Sequence, residues 1–104
     1  MAQKIIWSHE AANDLMAIAE YIGKDSPFYA GSFVERILTV SRSLSPFPLR
    51  GRIVPELSSS SIRELFIKEY RLIYRVEESH ITILGIIHGK RNLTKLWEEE
   101  QREN

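Results

Sequence analysis

From Tyr70 to Val76 the chain reads Tyr-Arg-Leu-Ile-Tyr-Arg-Val. A strand sends successive side chains to opposite faces. Tyr70, Leu72, Tyr74 and Val76 therefore share one face, and Arg71, Ile73 and Arg75 share the other. Arginine is rarely fully buried unless paired. One face of the sheet must then meet water, a partner or an anionic ligand. Ile62-Arg63-Glu64-Leu65-Phe66 and Ile83-Leu84-Gly85-Ile86-Ile87 read as the neighbouring strands, with Glu77-Glu78-Ser79 as the turn between the second and third. The third ends in His88, Gly89, Lys90 and Arg91, which collects the candidate chemistry at one end of the sheet.

Upstream, Lys4 to Trp7 is a short apolar run of strand type. Ser8 offers an N-cap, and Ala11, Leu15, Ile18, Ala19 and Ile22 follow at helical spacing. Gly23 is positioned to close this helix. Glu10, Asp14 and Glu20 fall on its wet side or near its positive start. Asp25 or Ser26 caps a second helix, with Pro27 in its first turn. Ala30, Phe33, Val34, Ile37, Val40 and Leu44 form its apolar stripe, which stops before Pro46-Phe47-Pro48. The short connection predicts an antiparallel helical hairpin. Leu49 to Ser61 reads as a loop.

The expected class is α+β. A small antiparallel sheet carries the N-terminal helical hairpin on one face, in the order β-α-α-β-β-β. A short C-terminal helix with Leu93, Leu96 and Trp97 follows. The other sheet face stays partly open. The 104 residues suffice for one domain, spanning 1–104.

The chain has no cysteine, which removes disulfides and thiolate chemistry and fits a reducing cytoplasm. No apolar run reaches the length of a membrane span. His9, His80 and His88 lack metal-ligand spacing, so neither metal nor cofactor is expected. Net charge is zero, from 14 basic and 14 acidic residues, which argues against holding DNA by charge alone. The distribution is uneven. Residues 50–95 carry 9 basic and 5 acidic side chains, whereas residues 96–104 carry 1 and 4.

Three stretches bear a family resemblance. Trp7-Ser8-x-x-Ala11-x-x-Asp14-Leu15-x-x-Ile18-x-x-Tyr21-Ile22 resembles the opening helix of the RelE/ParE superfamily of type II toxins. Phe47-Pro48-x-x-Gly51-Arg52-x-Val54-Pro55-Glu56-Leu57 resembles its central loop. Ile62-Arg63-Glu64-Leu65, Tyr70-Arg71-Leu72-Ile73-Tyr74 and Ile86-Ile87-His88-Gly89-Lys90-Arg91 resemble its three strands. The likeness covers about residues 4–93. It implies a toxin held silent by a cognate antitoxin, which would supply any contact with DNA. It implies one of two targets: DNA gyrase, for ParE-like members, or messenger RNA in the ribosome, for RelE-like members. The central loop and opening helix look more like the ParE side. A decayed relative that only binds its antitoxin is a third reading.

Metal-independent RNA cleavage needs a base for the ribose 2′-hydroxyl, cations for the phosphate and an acid for the leaving oxygen. His88 suits the acid or base role, because an unperturbed imidazole titrates near neutrality. Arg63, Arg71 and Arg91 suit phosphate, which guanidinium matches bidentately. Glu56 and Glu64 are candidate bases, while Arg63 and Arg71 could instead pair with Glu64, Glu69 or the antitoxin's carboxylates. Tyr70 and Tyr74 could stack on bases, but share a face with Leu72 and read better as core. Arg52, Lys68, Lys90, Leu93 and Trp97 are candidate contacts for target or antitoxin. The resemblance implies that RNA-cutting members carry several lysines or histidines on the groove, whereas this chain offers few beyond Lys68, His88 and Lys90, and the central excess of charge is modest. Both points favour the branch that is not a nuclease.

Overall fold

The structure is a computed structural model that describes residues 2–91. Its elements are β1 (Lys4–Trp7), α1 (His9–Gly23), α2 (Pro27–Ser43), β2 (Arg52–Ile53), β3 (Ile62–Ile67), β4 (Tyr70–Val76) and β5 (His80–His88). The strands form one sheet in the order β1-β5-β4-β3-β2. The helical hairpin expected from the two apolar stripes is present. The Leu93–Trp97 segment lies outside the described residues.

Two points correct the expected sheet. It is mixed rather than antiparallel, because β1 runs parallel to β5, with Lys4 opposite His80 and Trp7 opposite Ile83. The chain leaves β1 into the helical hairpin, and a crossover of that kind permits parallel pairing. The segment read as a loop also contains β2, which pairs antiparallel with β3.

Both helices start on their serine caps. The Ser8 hydroxyl accepts from the Ala11 amide at 3.0 Å, and the Ser26 hydroxyl from the Tyr29 amide at 3.2 Å. Such a cap is worth about 1 kcal/mol over alanine. Gly23 is the last residue of α1, and the cap falls one residue later, on Lys24, which is itself right-handed at φ −60°.

The main core lies between the hairpin and the sheet. It holds Ala11, Phe33, Ile37 and Leu44 against Ile67, Leu72, Tyr74, Ile81, Ile83 and Ile86. The face expected to stay partly open carries a second, smaller core. Val54 from the segment after β2 packs there on Ile62 and Ile73, flanked by Leu57, Leu84 and Ile87. Alternation is broken once: Ile73 faces Gly85 but Tyr74 faces Ile83, which leaves Leu84 as the extra residue of a bulge.

Asp14 does not lie on the wet side of α1. β1 ends opposite Ile83, so the following backbone of β5 needs other partners on that edge. The Ser8 amide donates to the Ile83 carbonyl at 3.0 Å. The Ser8 hydroxyl donates to the Leu84 carbonyl at 3.3 Å, and the Ile86 amide donates to the Asp14 carboxylate at 3.0 Å. The start of α1 thereby caps an unpaired sheet edge. Burial pushes the Asp14 carboxyl above its usual range, against the opposing pull of the Ile86 amide.

A carboxyl raised in the folded state favours folding while protonated. That contribution is complete below the ordinary carboxyl value and is lost as pH rises through the raised one. Asp14→Asn keeps an acceptor for Ile86 and carries no charge. Its stability relative to the wild type should therefore rise as pH increases from about 3 towards neutrality, through the carboxyl range. Urea denaturation across that range checks this. A difference that does not change with pH contradicts it.

Candidate functional site

Register puts Arg52, Glu64 and Arg71 on the sheet face away from the hairpin, and Glu56 joins them from the segment after β2. Arg52 of β2 lies opposite Glu64 of β3, and Arg71 of β4 lies opposite Phe66, one step along the same face. Arg71 Nε donates to Glu64 Oε1 at 2.6 Å. Its two terminal nitrogens donate to the two oxygens of Glu56, each at 2.8 Å, in a bidentate pair. The second oxygen of Glu64 accepts from Arg52 Nε at 2.6 Å. The side chains of Arg71 and Glu64 are 3% and 0% exposed, whereas Arg52 is 59% exposed. The hydrogen bond to Glu56 is the main cause holding the Arg71 guanidinium above its ordinary value, with Glu64 adding to it. Arg52 also lies over the Phe66 ring, 5.1 Å from its centroid. Arg71 pairs with Glu64, as one reading of the sequence allowed.

Arg63 points elsewhere. Its Nη1 donates to the Gly51 carbonyl at 2.8 Å. Gly51 is a second hub: its amide donates to the Tyr74 hydroxyl at 2.8 Å, and that hydroxyl donates to the Pro48 carbonyl at 2.9 Å. Burial pushes the Tyr74 phenol up. Both tyrosines are core-facing, with Tyr70 edge-on to Phe33 at 5.3 Å. A Cβ at position 51 would sit 2.6 Å from the Glu64 carbonyl oxygen and 2.7 Å from the Tyr74 hydroxyl. Gly51→Ala should therefore cost about 1–3 kcal/mol as an overpacked site, read from its denaturation midpoint.

His88 stands on the hairpin side of the sheet, opposite Tyr70, while Ile87 lies opposite Arg71. Its ring meets Tyr70 edge-on at 5.7 Å, and its Nδ1 accepts from the Lys90 amide at 3.2 Å. Its Nε2 is 3.8 Å from a Glu69 carboxylate oxygen, too far for a hydrogen bond. Arg91 is exposed, and its carbonyl accepts from Arg71 at 3.4 Å. Lys68 occupies the β3–β4 turn at φ 54°. Lys90 is exposed just past β5.

The structure brings Arg71, Glu56, Glu64 and Arg52 together. It places Arg63 on a backbone carbonyl and His88 across the sheet from Arg71. Leu93 and Trp97 lie outside the described residues. No group of three or more metal-ligating side chains occurs among the described residues. Nor is any helix among them long and apolar enough to cross a membrane. The Tyr74–Gly51 hub escaped the sequence reading. Its only signal was the glycine within a run of prolines and arginines.

A helical hairpin on a five-stranded mixed sheet matches the architecture of RelE/ParE-like toxins. Residues 5–93 match the family model described as ParE toxin of the type II toxin-antitoxin system, parDE, and the chain belongs to that family. Toxin RelE2 of Caulobacter vibrioides is 37% identical over 92 residues, which is 88% of this chain and 99% of that protein. The fold is similar to a chain of the chromosomal ParDE toxin-antitoxin system from P. aeruginosa. The TM-score is 0.69 at 26% identity, over 84% of this chain and 96% of that one. A chain of the RelBE2 toxin-antitoxin complex from Mycobacterium tuberculosis shares the fold at TM-score 0.56 and 23% identity, over 85% and 99%. The chain is thus the toxin of a type II toxin-antitoxin module.

Proposed function

We propose that this toxin acts by binding DNA gyrase and does not cut RNA, and that a cognate antitoxin neutralises it. One observation carries the reading. The candidate phosphate clamp Arg71 and both candidate bases, Glu56 and Glu64, are hydrogen-bonded to one another, while His88 lies on the opposite sheet face. General acid–base cleavage needs its acid and base within hydrogen-bond reach of one scissile phosphate. Freeing Arg71 for that work would leave two carboxylates without their buried partner, at a cost that substrate binding would have to offset. The ParE family match points the same way.

The antitoxin reading is supported by apolar side chains along the hairpin. Met16, Tyr21, Phe28 and Tyr29 are 64%, 69%, 77% and 60% exposed. Met16 and Tyr21 stand on α1 and Phe28 and Tyr29 at the start of α2, and large exposed apolar groups are candidates for a surface that a partner covers.

Inducing the chain alone in bacteria and pulse-labelling DNA and protein synthesis in parallel tests the target. DNA synthesis should fall first, with filamentous cells, and His88→Ala should leave that arrest intact. If protein synthesis falls first, the chain is a ribosome-dependent nuclease. If neither falls, it survives only as an antitoxin-binding relative.

A further inference from the structure

The outer face of α2 leads into a groove that neither the core nor the charged cluster uses. At 3.6 residues per turn, Phe28, Ser32, Glu35, Arg36, Thr39 and Ser43 fall within one band of the helix. From Ser32 onwards that band and Arg50 of the following loop line a groove of about 490 Å³. Arg36, Arg50 and Glu35 supply its charges, and Ser32, Thr39 and Ser43 its hydroxyls. Arg50 reaches back to the helix, its Nη1 donating to Ser43 Oγ. Arg36 is exposed, and no ion pair engages it among the described residues. Past Arg50 the surface turns apolar. Pro46, Phe47, Pro48 and Leu49 line a second cleft, of about 470 Å³, which shares Arg50 with the first.

The apolar end is held from beneath. Phe47 and Leu49 are 67% and 62% exposed. Yet the Pro48 carbonyl accepts from the buried Tyr74 hydroxyl at 2.9 Å, and the Gly51 carbonyl accepts from Arg63 at 2.8 Å. The Arg50 amide closes the turn on the Phe47 carbonyl at 3.1 Å. Two prolines restrict the same stretch. Both apolar side chains therefore leave a fixed backbone. Groups presented in this way bind with less ordering cost.

We propose, resting on the antitoxin reading of the hairpin, that the cognate antitoxin lays an acidic segment along this groove of α2. A carboxylate of the segment pairs with Arg36 and Arg50, which guanidinium matches bidentately. Its apolar side chains pack on Phe28 at one end and on Phe47 and Leu49 at the other. Phe28 and Ser43 are about 22 Å apart along the helix, the reach of about seven extended residues. Two guanidinium groups against one carboxylate make the groove favour an acidic occupant. The band also begins at Phe28, one of the exposed apolar groups of the hairpin. A cleft along a single helix fits a peptide segment better than the broad face of a folded enzyme such as gyrase.

The test measures binding of the full chain to the full-length antitoxin encoded beside it, at low and at high salt, with gyrase supercoiling followed in parallel. Arg36→Glu should weaken antitoxin binding by about tenfold or more, and Phe47→Ala by about tenfold. Salt should weaken the wild-type complex, and Arg36→Glu should be less sensitive to it. Both side chains are exposed, so neither substitution should move the Tm or the effect on supercoiling. Wild-type binding with unaltered affinity in both variants overturns the groove and leaves the antitoxin reading standing. A wild type that does not bind the antitoxin overturns both. Variants that keep full antitoxin affinity but no longer inhibit gyrase also overturn the proposal, and make the groove the contact for the target.

Discussion

Glu64→Ala should destabilise the fold by about 3–5 kcal/mol, the range for removing one partner of a buried ion pair. Glu64 is fully buried, and each of its oxygens accepts from a different arginine. Its removal leaves the Arg71 guanidinium, 3% exposed, with Nε facing a void. Glu56 still holds its terminal nitrogens, but a buried charge that loses one of its two carboxylates is left under-compensated, whereas the intact pair adds little over an apolar replacement. Arg52→Ala makes the contrast. Arg52 meets the same carboxylate but is 59% exposed, so its loss should cost less than about 1 kcal/mol. Urea melts of both variants at neutral pH check the pair. Equal costs would show that burial does not govern this cluster.

Tyr74→Ala should cost a similar amount, about 3–5 kcal/mol, because it empties one of the largest buried side chains in the main core. Tyr74→Phe separates the two contributions. Phenylalanine keeps the ring but orphans the Gly51 amide and takes a donor from the Pro48 carbonyl. That loss should cost about 1–3 kcal/mol, since a buried group without a partner forfeits its desolvation energy. The two hydrogen bonds tie the Pro48–Gly51 segment to β4. The phenylalanine variant should accordingly show faster amide exchange at Gly51 than at Leu72. If both variants melt like the wild type, the hydroxyl does not hold that segment.

Much of the fold was legible in local signals. Ser8 and Ser26 announced their helices because each hydroxyl caps an otherwise orphaned amide. The apolar stripes gave the helix faces, and period-two alternation put Tyr70, Leu72, Tyr74 and Val76 together against the hairpin. What stayed hidden depended on contacts distant in sequence. The parallel pairing of β1 with β5 joins residues more than seventy positions apart, and nothing in Lys4–Trp7 encodes direction. The role of Asp14 arises because β1 stops one residue before a cap, so its carboxylate meets a sheet edge that periodicity cannot show. Gly23 marked the end of α1 to within one residue, and the cap itself falls on Lys24 because the turn after α1 needs no left-handed residue. The candidate site was half legible. Charged residue types on alternate positions identified Arg71 and Glu64 as facing or pairing groups. The same alternation, carried across to β5, sends His88 to the other face, and only the register between strands reveals it.

The central claim is that this ParE-family toxin stops gyrase by binding it and cleaves no RNA. The most direct measurement is gyrase supercoiling in vitro with the purified full chain, run beside its His88→Ala variant. Inhibition at molar excess by both proteins, relieved by the cognate antitoxin, is the predicted result. Undisturbed supercoiling, together with a cut in the A-site codon of toxin-treated ribosomes that His88→Ala abolishes, would contradict it.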